Sequence, residues 1–246
     1  PAGAKKIRND VPRAIQLLKM KREVYVSLAP SYPVCSGLGE KELIANLLNL
    51  GFSGVSETAL GAQAVAEEQR RLLTHSNGPQ VSSACPTVRI LAQRYFPAAA
   101  ACLSPLPSPM VAHARMLRRW YGDDIGVVFV GPCIAKKMEA DQYPDLIDVA
   151  LTAEEVAAWQ RDEKRTQHSM APAAPEARFL PRRAGSAALF PMDGGMIRAM
   201  GNLSEGECPS IHQSGTALLM ETLESIPSFD GRRLFLELLA CEGGCI

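Results

Sequence analysis

The chain has 246 residues, of which 47% are hydrophobic and 21% charged, as is typical of a globular protein that buries a sizeable core. The 26 basic and 26 acidic side chains cancel, which argues against nucleic acid or an anionic membrane as the main partner. No apolar run approaches the roughly 20 residues needed to span a bilayer, and no secretory signal pattern is visible. We therefore expect a cytoplasmic protein.

Helical and strand patterns alternate along the chain. Helices are predicted at 11–20, 40–50, 59–74, 86–95, 110–121, 152–160 and 214–225, and strands at 23–29, 52–57, 80–83, 125–130, 147–151 and 234–239. The run 125–130 is apolar throughout, as in a strand buried on both faces of a parallel sheet. Residues 161–183 are polar and rich in Pro and Ala, which predicts an exposed loop. The alternation indicates an α/β fold with mostly parallel sheets flanked by helices.

Seven cysteines are an odd number, and their spacing fits no small disulfide scaffold, which predicts metal binding plus spare buried thiols. Four of them lie in three motifs: Ser83-Ala84-Cys85-Pro86, Gly131-Pro132-Cys133, and Cys241-Glu242-Gly243-Gly244-Cys245. Four soft thiolates from remote points of one chain suit iron–sulfur or zinc chemistry. The other three, Cys35, Cys102 and Cys208, have no ligand-like neighbours and are interpreted as structural thiols.

The local patterns around the motif cysteines leave alternatives open. Cys241 and Cys245 would share one face, about 5.4 Å apart, if their segment were helical, but such a pair is also compatible with small buried hydrophobes. Cys85 and Cys133 each follow a predicted strand, where ligand sites concentrate in α/β folds. Lys136 either offsets the charge of anionic ligands or belongs to a solvated helix start.

The order and surroundings of these motifs resemble the iron-only ([FeFe]) hydrogenase family, and the resemblance covers nearly the whole chain. Further matching segments are residues 28–31, 51–52, 129–133, 192–196 and 236–240. The resemblance implies a two-lobed fold with the cluster site in the cleft between the lobes. The two intertwined lobes would span roughly residues 20–130 and 131–246.

The resemblance also implies the cofactors. In the family, four cysteines hold a [4Fe–4S] cubane, and these match Cys85, Cys133, Cys241 and Cys245. The last cysteine bridges to a diiron unit that carries carbon monoxide, cyanide and a dithiolate bridge, and the whole forms the H-cluster. Lys136 would donate a hydrogen bond to a cyanide. The diiron pocket would be lined by or lie near Ala29, Pro30, Ser31, Pro132 and Ser108.

Several positions depart from the family's pattern, chiefly in its proton relay. The relay cysteine is replaced by Ala84, which has no ionisable group. The relay glutamate falls on Arg71, whereas Ser104 matches a relay serine. Gly131 replaces a methionine, and Met110 replaces a glutamine that helps to bind the diiron ligands. These departures predict slow proton transfer.

Two other motifs are interpreted as structural. Glu67 and Glu68 are expected to form a solvated helix face rather than a relay. Residues 193–195 are expected to form a turn before a helix.

The departures resemble the sensory hydrogenases, which often combine ferredoxin-like modules with a PAS domain. We therefore expect slow hydrogen activation used for hydrogen or redox sensing, with H2 and protons as substrates and maturation proteins that load the diiron unit. The alternatives are an ordinary catalytic hydrogenase fragment and a non-enzymatic iron–sulfur scaffold. Residues 1–4 resemble the end of a ferredoxin motif, so a ferredoxin-like module is expected upstream, and the C-terminus is expected to continue.

Overall fold

The computed structural model describes residues 6–166, 177–201, 208–229 and 231–245. The helices are α1 (Val11–Met20), α2 (Tyr32–Ser36), α3 (Glu40–Asn49), α4 (Ala59–Thr74), α5 (Pro86–Tyr95), α6 (Pro97–Ala101), α7 (Pro109–Tyr121), α8 (Ala135–Asp141), α9 (Ala153–Thr166), α10 (Gly195–Ala199) and α11 (Thr216–Ser225). The strands are β1 (Val24–Leu28), β2 (Gly54–Glu57), β3 (Pro79–Val81), β4 (Gly126–Gly131), β5 (Val149–Thr152), β6 (Ser210–Ser214) and β7 (Leu234–Leu239).

Two parallel sheets confirm the predicted α/β class. Sheet A has the strand order β2-β1-β4-β5, and sheet B has the order β3-β7-β6. All pairings between these strands are parallel. Strands β1, β4 and β7 are buried along their whole length, which explains why they appear in the sequence as near-continuous apolar runs.

Some short elements, among them α2, α6 and β6, were not predicted from the sequence. The helices α2 and α6 have five residues each, too few to show a helical period. Strand β6 lies at an edge of sheet B and is exposed over its first three residues, so no buried alternation marks it. The predicted loop 161–183 begins later than expected, because α9 extends to Thr166, and its residues 167–176 lie outside the described residues.

The chain divides into two compact units, each built from two separate stretches. The first unit comprises Pro1–Glu57 and Ala114–Arg183 and contains sheet A; the second comprises Thr58–His113 and Ala184–Ile246 and contains sheet B. A boundary between residues 130 and 131, as predicted for the lobes, would separate paired strands, because Val128 of β4 lies opposite Val149 of β5. The predicted lobe limits therefore differ from these units.

In the first unit, a buried ion-pair network ties α8 to sheet A. The Lys137 ammonium lies 2.8 Å from an Asp10 carboxylate oxygen, 2.7 Å from Glu155 and 3.1 Å from the carbonyl oxygen of Ala150. Asp10 is fully buried, and although burial opposes its ionisation, the hydrogen bonds from Lys137 and Arg8 hold its pKa below the ordinary value. This network holds α8 in place directly after Cys133.

In the second unit, α4 and α7 approach so closely that only glycine fits at Gly61. A Cβ atom there would lie 2.3 Å from the Pro109 carbonyl oxygen and 2.6 Å from the His113 nitrogen. His113 is fully buried in α7 as a result, and burial lowers its pKa to about 3. Within the described residues, no helix is both long enough and apolar enough to cross a bilayer.

The buried His113 predicts a specific loss of stability in acid. Its folded pKa of about 3 lies below the ordinary value near 6.5, so its stabilising contribution is present above pH 6.5 and declines as the pH falls. Between pH 7.5 and 4.5, we expect wild type to lose about 3 kcal/mol more unfolding free energy than His113→Gln, measured by urea titration. His75→Gln, at an exposed site, is the control and should behave like wild type. Parallel pH profiles for wild type and His113→Gln would contradict this assignment.

Candidate metal centre

In the second unit, three of the four motif cysteines follow two neighbouring strands. Strands β3 and β7 pair in parallel, and the pairing continues beyond β3, because the Ser82 N–H donates to the Leu236 carbonyl oxygen at 2.9 Å. The carboxyl ends of parallel strands meet at one edge of a sheet, where α/β folds concentrate their ligand sites. Cys85, Cys241 and Cys245 therefore lie beyond the same edge of sheet B.

Cys85 immediately precedes helix α5. It is buried, it is the N-cap residue of α5, and Pro86 follows it at the first helical position, as the sequence predicted. The Arg89 N–H donates to the Cys85 carbonyl oxygen at 3.2 Å. The first N–H groups of α5 have no partner within the helix and carry its positive dipole end. They lie at the same end of the helix as the Cys85 side chain, where backbone N–H groups can face an anionic group.

The segment between Cys241 and Cys245 is a turn and not a helix, so the conditional expectation of a shared helical face is wrong. Gly243 and Gly244 have φ angles of +74° and +107°, which non-glycine residues rarely adopt. A Cβ atom on Gly243 would meet nothing within 4 Å, whereas one on Gly244 would lie 2.1 Å from the Pro191 carbonyl oxygen. The loop is therefore packed against Pro191 at Gly244, whereas open space lies beside Gly243.

In the first unit, the fourth predicted ligand and several predicted pocket residues follow a second pair of neighbouring strands. Ala29 to Ser31 come after β1, and Pro132 and Cys133 come after β4. The two strands pair in parallel, and the Ala29 N–H donates to the Val130 carbonyl oxygen at 2.8 Å. These residues therefore lie beyond one edge of sheet A.

A cavity of about 50 Å³ lies at this edge of sheet A. Ala29, Ser31 and Pro132 line it together with apolar side chains such as Val156. Ser31 is only 3% exposed, and no described residue forms a hydrogen bond with its Oγ. A buried hydroxyl without a partner costs about 1–3 kcal/mol, so the site suits a group that supplies one. Contact of these residues with a diiron unit remains a prediction.

Gly131, one of the positions expected to depart from the family's pattern, has no room for a side chain. A Cβ atom there would lie 2.8 Å from the Ala29 Cβ and 2.8 Å from Cζ of Phe129. Phe129 is buried, and its ring takes up the space that a side chain at position 131 would need. A larger residue at position 131 would therefore require Phe129 to move.

Lys136 is held in a buried ion pair, so the alternative of a solvated helix start does not apply. Its ammonium lies 2.6 Å from an oxygen of Glu139, and the two side chains are 12% and 3% exposed. The Lys136 N–H donates to the Cys133 carbonyl oxygen at 3.2 Å. Glu139 was not singled out in the sequence, although its i,i+3 spacing from Lys136 is a usable signal.

The buried hydrogen-bond partner of Ser104 is Gln69. The Ser104 hydroxyl donates to Oε1 of Gln69 at 2.6 Å, and the Gln69 amide donates to Gln80 at 2.6 Å. Arg71, two residues further along α4, is exposed and pairs with Glu68. The expected match of the relay glutamate to Arg71 remains a prediction, and Arg71 does not share the buried helix face of Gln69.

The predicted solvated face of α4 is confirmed. Glu67 is exposed, and Glu68 is part of the exposed pair with Arg71. Residues 193–195 also form the expected turn, after which α10 begins.

Ser108 and Met110 are both buried at the start of α7. The N–H of Val111 donates to the Ser108 hydroxyl oxygen at 3.4 Å, which makes this hydroxyl a cap of the helix. Met110 is 1% exposed. Ala84 precedes Cys85, and its N–H donates to the Ser82 hydroxyl oxygen at 3.3 Å. Nothing in these contacts tests a role at a diiron unit, so these roles remain predictions.

All seven cysteines lie in the described part of the chain, and none of them forms a disulfide. Among the described residues, no three His, Cys, Asp or Glu side chains are grouped so as to hold one metal ion. A cubane distributes its thiolates over four separate irons, so its ligands need not surround a single position. The pKa of Cys208 is raised by burial, in keeping with a structural thiol. The set of four ligands remains a prediction.

The profile described as "Iron only hydrogenase large subunit, C-terminal domain" matches residues 22–246. The chain belongs to this family. It is 24% identical to iron hydrogenase 1 of Clostridium pasteurianum over a 291-residue alignment that covers 92% of this chain and 49% of that protein. The chain thus spans about half the length of that curated relative.

Solved structures of iron-only hydrogenases share the fold of this domain. HydA1 from Chlamydomonas reinhardtii, solved as a glutamate-to-glutamine variant, superposes with a TM-score of 0.71 at 19% identity, covering 97% of this chain and 83% of that one. An apo form of the same HydA1, in a cysteine-to-histidine variant, gives a TM-score of 0.70 at 18% identity over the same fractions. The predicted iron-only hydrogenase fold is confirmed.

Proposed function

We propose that this domain activates hydrogen at an H-cluster, that it does so slowly, and that it serves hydrogen or redox sensing. Family membership and the position of all four motif cysteines just after the ends of parallel strands support the cluster site. The thiolate donor set fits an iron–sulfur cubane, and the space beside Gly243 leaves room for a bulky group. When bound, the cluster supplies the redox chemistry that converts hydrogen into protons and electrons.

The chain's own residues have separate roles in this proposal. Cys85, Cys133, Cys241 and Cys245 hold the cubane. Lys136, oriented by Glu139, donates a hydrogen bond to an anionic ligand, and Ala29, Pro30, Ser31, Pro132, Ser108 and Met110 enclose the diiron unit. An iron-only hydrogenase domain of this kind depends on maturation proteins for the diiron unit, and we place it in the cytoplasm with a ferredoxin-like module as electron partner.

The Ser104–Gln69 pair is the observation that carries the proposal of slow turnover. A hydroxyl bonded to an amide can hold a proton but offers no group that titrates near neutral pH. With Ala84 in the first position of the relay, no side chain there accepts a proton either. Slow proton transfer suits a sensor, since the signal comes from the binding of hydrogen and not from the rate of its turnover. A PAS domain elsewhere in the parent protein would receive that signal.

Anaerobic reconstitution with iron and sulfide tests the first part of this proposal. We expect about four irons per chain, because four cysteines hold one cubane. Electron paramagnetic resonance of the reduced protein should show a single [4Fe–4S] signal. A protein that takes up the cubane but never the diiron unit, even with maturation proteins, would be a scaffold and not a hydrogenase. A protein that binds no cubane would contradict the proposal altogether.

A further inference from the structure

Glu237 is a charged residue at the centre of the most buried strand of sheet B. The other five residues of β7 are leucine or phenylalanine, and Glu237 itself is 2% exposed. Glutamate is almost never fully buried unless it is paired, because removing its charge from water is costly. Its partners therefore indicate what the residue does.

Both carboxylate oxygens of Glu237 accept backbone hydrogen bonds from the start of α10. The N–H of Met196 donates to Oε1 at 3.0 Å, and the N–H of Ile197 donates to Oε2 at 2.9 Å. The N-cap residue of α10 is Gly194, which has no side chain to cap these donors. Burial raises the pKa of Glu237, and the two N–H groups act in the opposite direction. Two accepted N–H hydrogen bonds are more favourable for the ionised form than for the neutral one.

The turn before α10 is in direct contact with the cysteine loop that follows β7. The Cys245 N–H donates to the Pro191 carbonyl oxygen at 2.7 Å, and Met192 forms an antiparallel bridge with Gly244. The turn itself is closed by a hydrogen bond from the Gly195 N–H to the Met192 carbonyl oxygen at 2.9 Å.

These contacts form a closed ring. From Glu237 the chain runs along β7 to Cys245, across a hydrogen bond to Pro191, through the turn to α10, and back across two hydrogen bonds to Glu237. Two glycines in this ring are packed so closely against neighbouring backbone that no larger residue fits. A Cβ atom on Gly195 would lie 1.9 Å from the Leu189 carbonyl oxygen, and one on Gly244 would be almost as close to Pro191.

We propose that Glu237 is a positioning residue that fixes the backbone of Cys245 through α10 and the turn at residues 191–192. It does not touch the cluster; it holds the turn against which the cysteine loop rests. The inference rests on the proposed function only in taking Cys241 and Cys245 as cluster ligands. The ring itself is a property of the protein without a cluster.

The test uses Glu237→Gln, Glu237→Asp and a matched control, Glu224→Gln, at an exposed position of α11 in the same unit. Gln keeps one acceptor oxygen and turns the other into a donor that faces an N–H group. Asp keeps the charge but is one methylene shorter, so it serves as the second variant if Gln prevents folding. The first measurement is amide hydrogen exchange of the cluster-free protein, resolved by residue.

We expect exchange to accelerate about 10- to 100-fold at Met196 and Ile197 in Glu237→Gln, as for the loss of a hydrogen bond to a charged group. Acceleration should extend to Gly244 and Cys245, with smaller changes in Glu237→Asp and none in Glu224→Gln. Faster exchange at residues 196–197 with unchanged exchange at residues 244–245 would make Glu237 a local helix cap and overturn the proposal.

The second measurement is made on reconstituted protein. We expect a chelator to remove iron at least several-fold faster from Glu237→Gln than from Glu224→Gln, and the electron paramagnetic resonance signal to broaden. Identical iron loss and identical spectra in the two variants would overturn the positioning role. If wild type binds no cluster, the proposed function fails, but hydrogen exchange still decides whether Glu237 sets the cysteine loop.

Discussion

Introducing ionisable groups at positions 84 and 69 is expected to accelerate proton exchange by about 10²- to 10⁴-fold, the range that one positioned general acid–base group contributes. In the double variant Ala84→Cys, Gln69→Glu, a thiol would stand before Cys85 and a carboxylate would face the Ser104 hydroxyl. Ala84→Cys alone should give an incomplete gain, because Gln69 still cannot titrate. The measurement is hydrogen–deuterium exchange by fully matured protein, with the loaded fraction determined for each variant.

The matched control for this experiment is Gln63→Glu, the same chemical change on the same helix. Gln63 donates to Glu67 at the protein surface, away from Ser104, so its replacement should leave the exchange rate unchanged. Wild-type turnover equal to that of a catalytic hydrogenase would contradict slow proton transfer. A double variant that is folded and loaded but no faster than wild type would show that this pair is not the limiting feature.

Replacing Cys133 by Ser is expected to abolish the iron–sulfur cluster or to reduce it to a small fraction of the wild-type content. Oxygen is a harder and poorer ligand than thiolate for these clusters. Iron content should fall from about four per chain towards zero, and the [4Fe–4S] resonance signal should disappear. Cys245→Ser should behave similarly and should also prevent stable loading of the diiron unit, for which this residue is the proposed bridge.

Cys102→Ser is the control for the ligand variants. Cys102 is another partly buried thiol, it lies in the same unit as Cys245, and it was interpreted as structural from the sequence. The control should keep its full iron content. Unchanged iron and an unchanged resonance signal in Cys133→Ser would mean that Cys133 is only a buried thiol.

Much of the fold could be predicted because its strongest elements carry local signals. Helix α4 occupies the predicted residues, since its apolar period runs over sixteen residues, and β7 does so because its apolar residues are continuous. Pro86 at the start of α5 marks a helix terminus by its fixed φ angle. The division into units was harder to predict from the sequence, because it depends on which strands pair when they are far apart along the chain.

The polar residues around the candidate site were harder to predict because their partners are distant in the sequence. Gln69 is hydrogen-bonded to Ser104, 35 positions further along the chain. Glu237 is hydrogen-bonded to residues at the start of α10, about 40 positions earlier. A single sequence contains no signal for hydrogen bonds between such remote residues. Glu139 is different, because its i,i+3 spacing from Lys136 can be seen in the sequence and predicts an ion pair on one helix face. The spacing does not show whether that pair is buried or exposed.

The infrared spectrum of the domain, produced with maturation proteins, tests the proposed H-cluster most directly, because bound carbon monoxide and cyanide absorb where protein does not. We predict bands from both ligands that shift when hydrogen replaces argon, while hydrogen evolution stays far below that of catalytic relatives. Ala84→Cys should show the same ligand bands with faster exchange. A spectrum without these bands, under conditions that load a catalytic iron-only hydrogenase, would contradict the proposed activity.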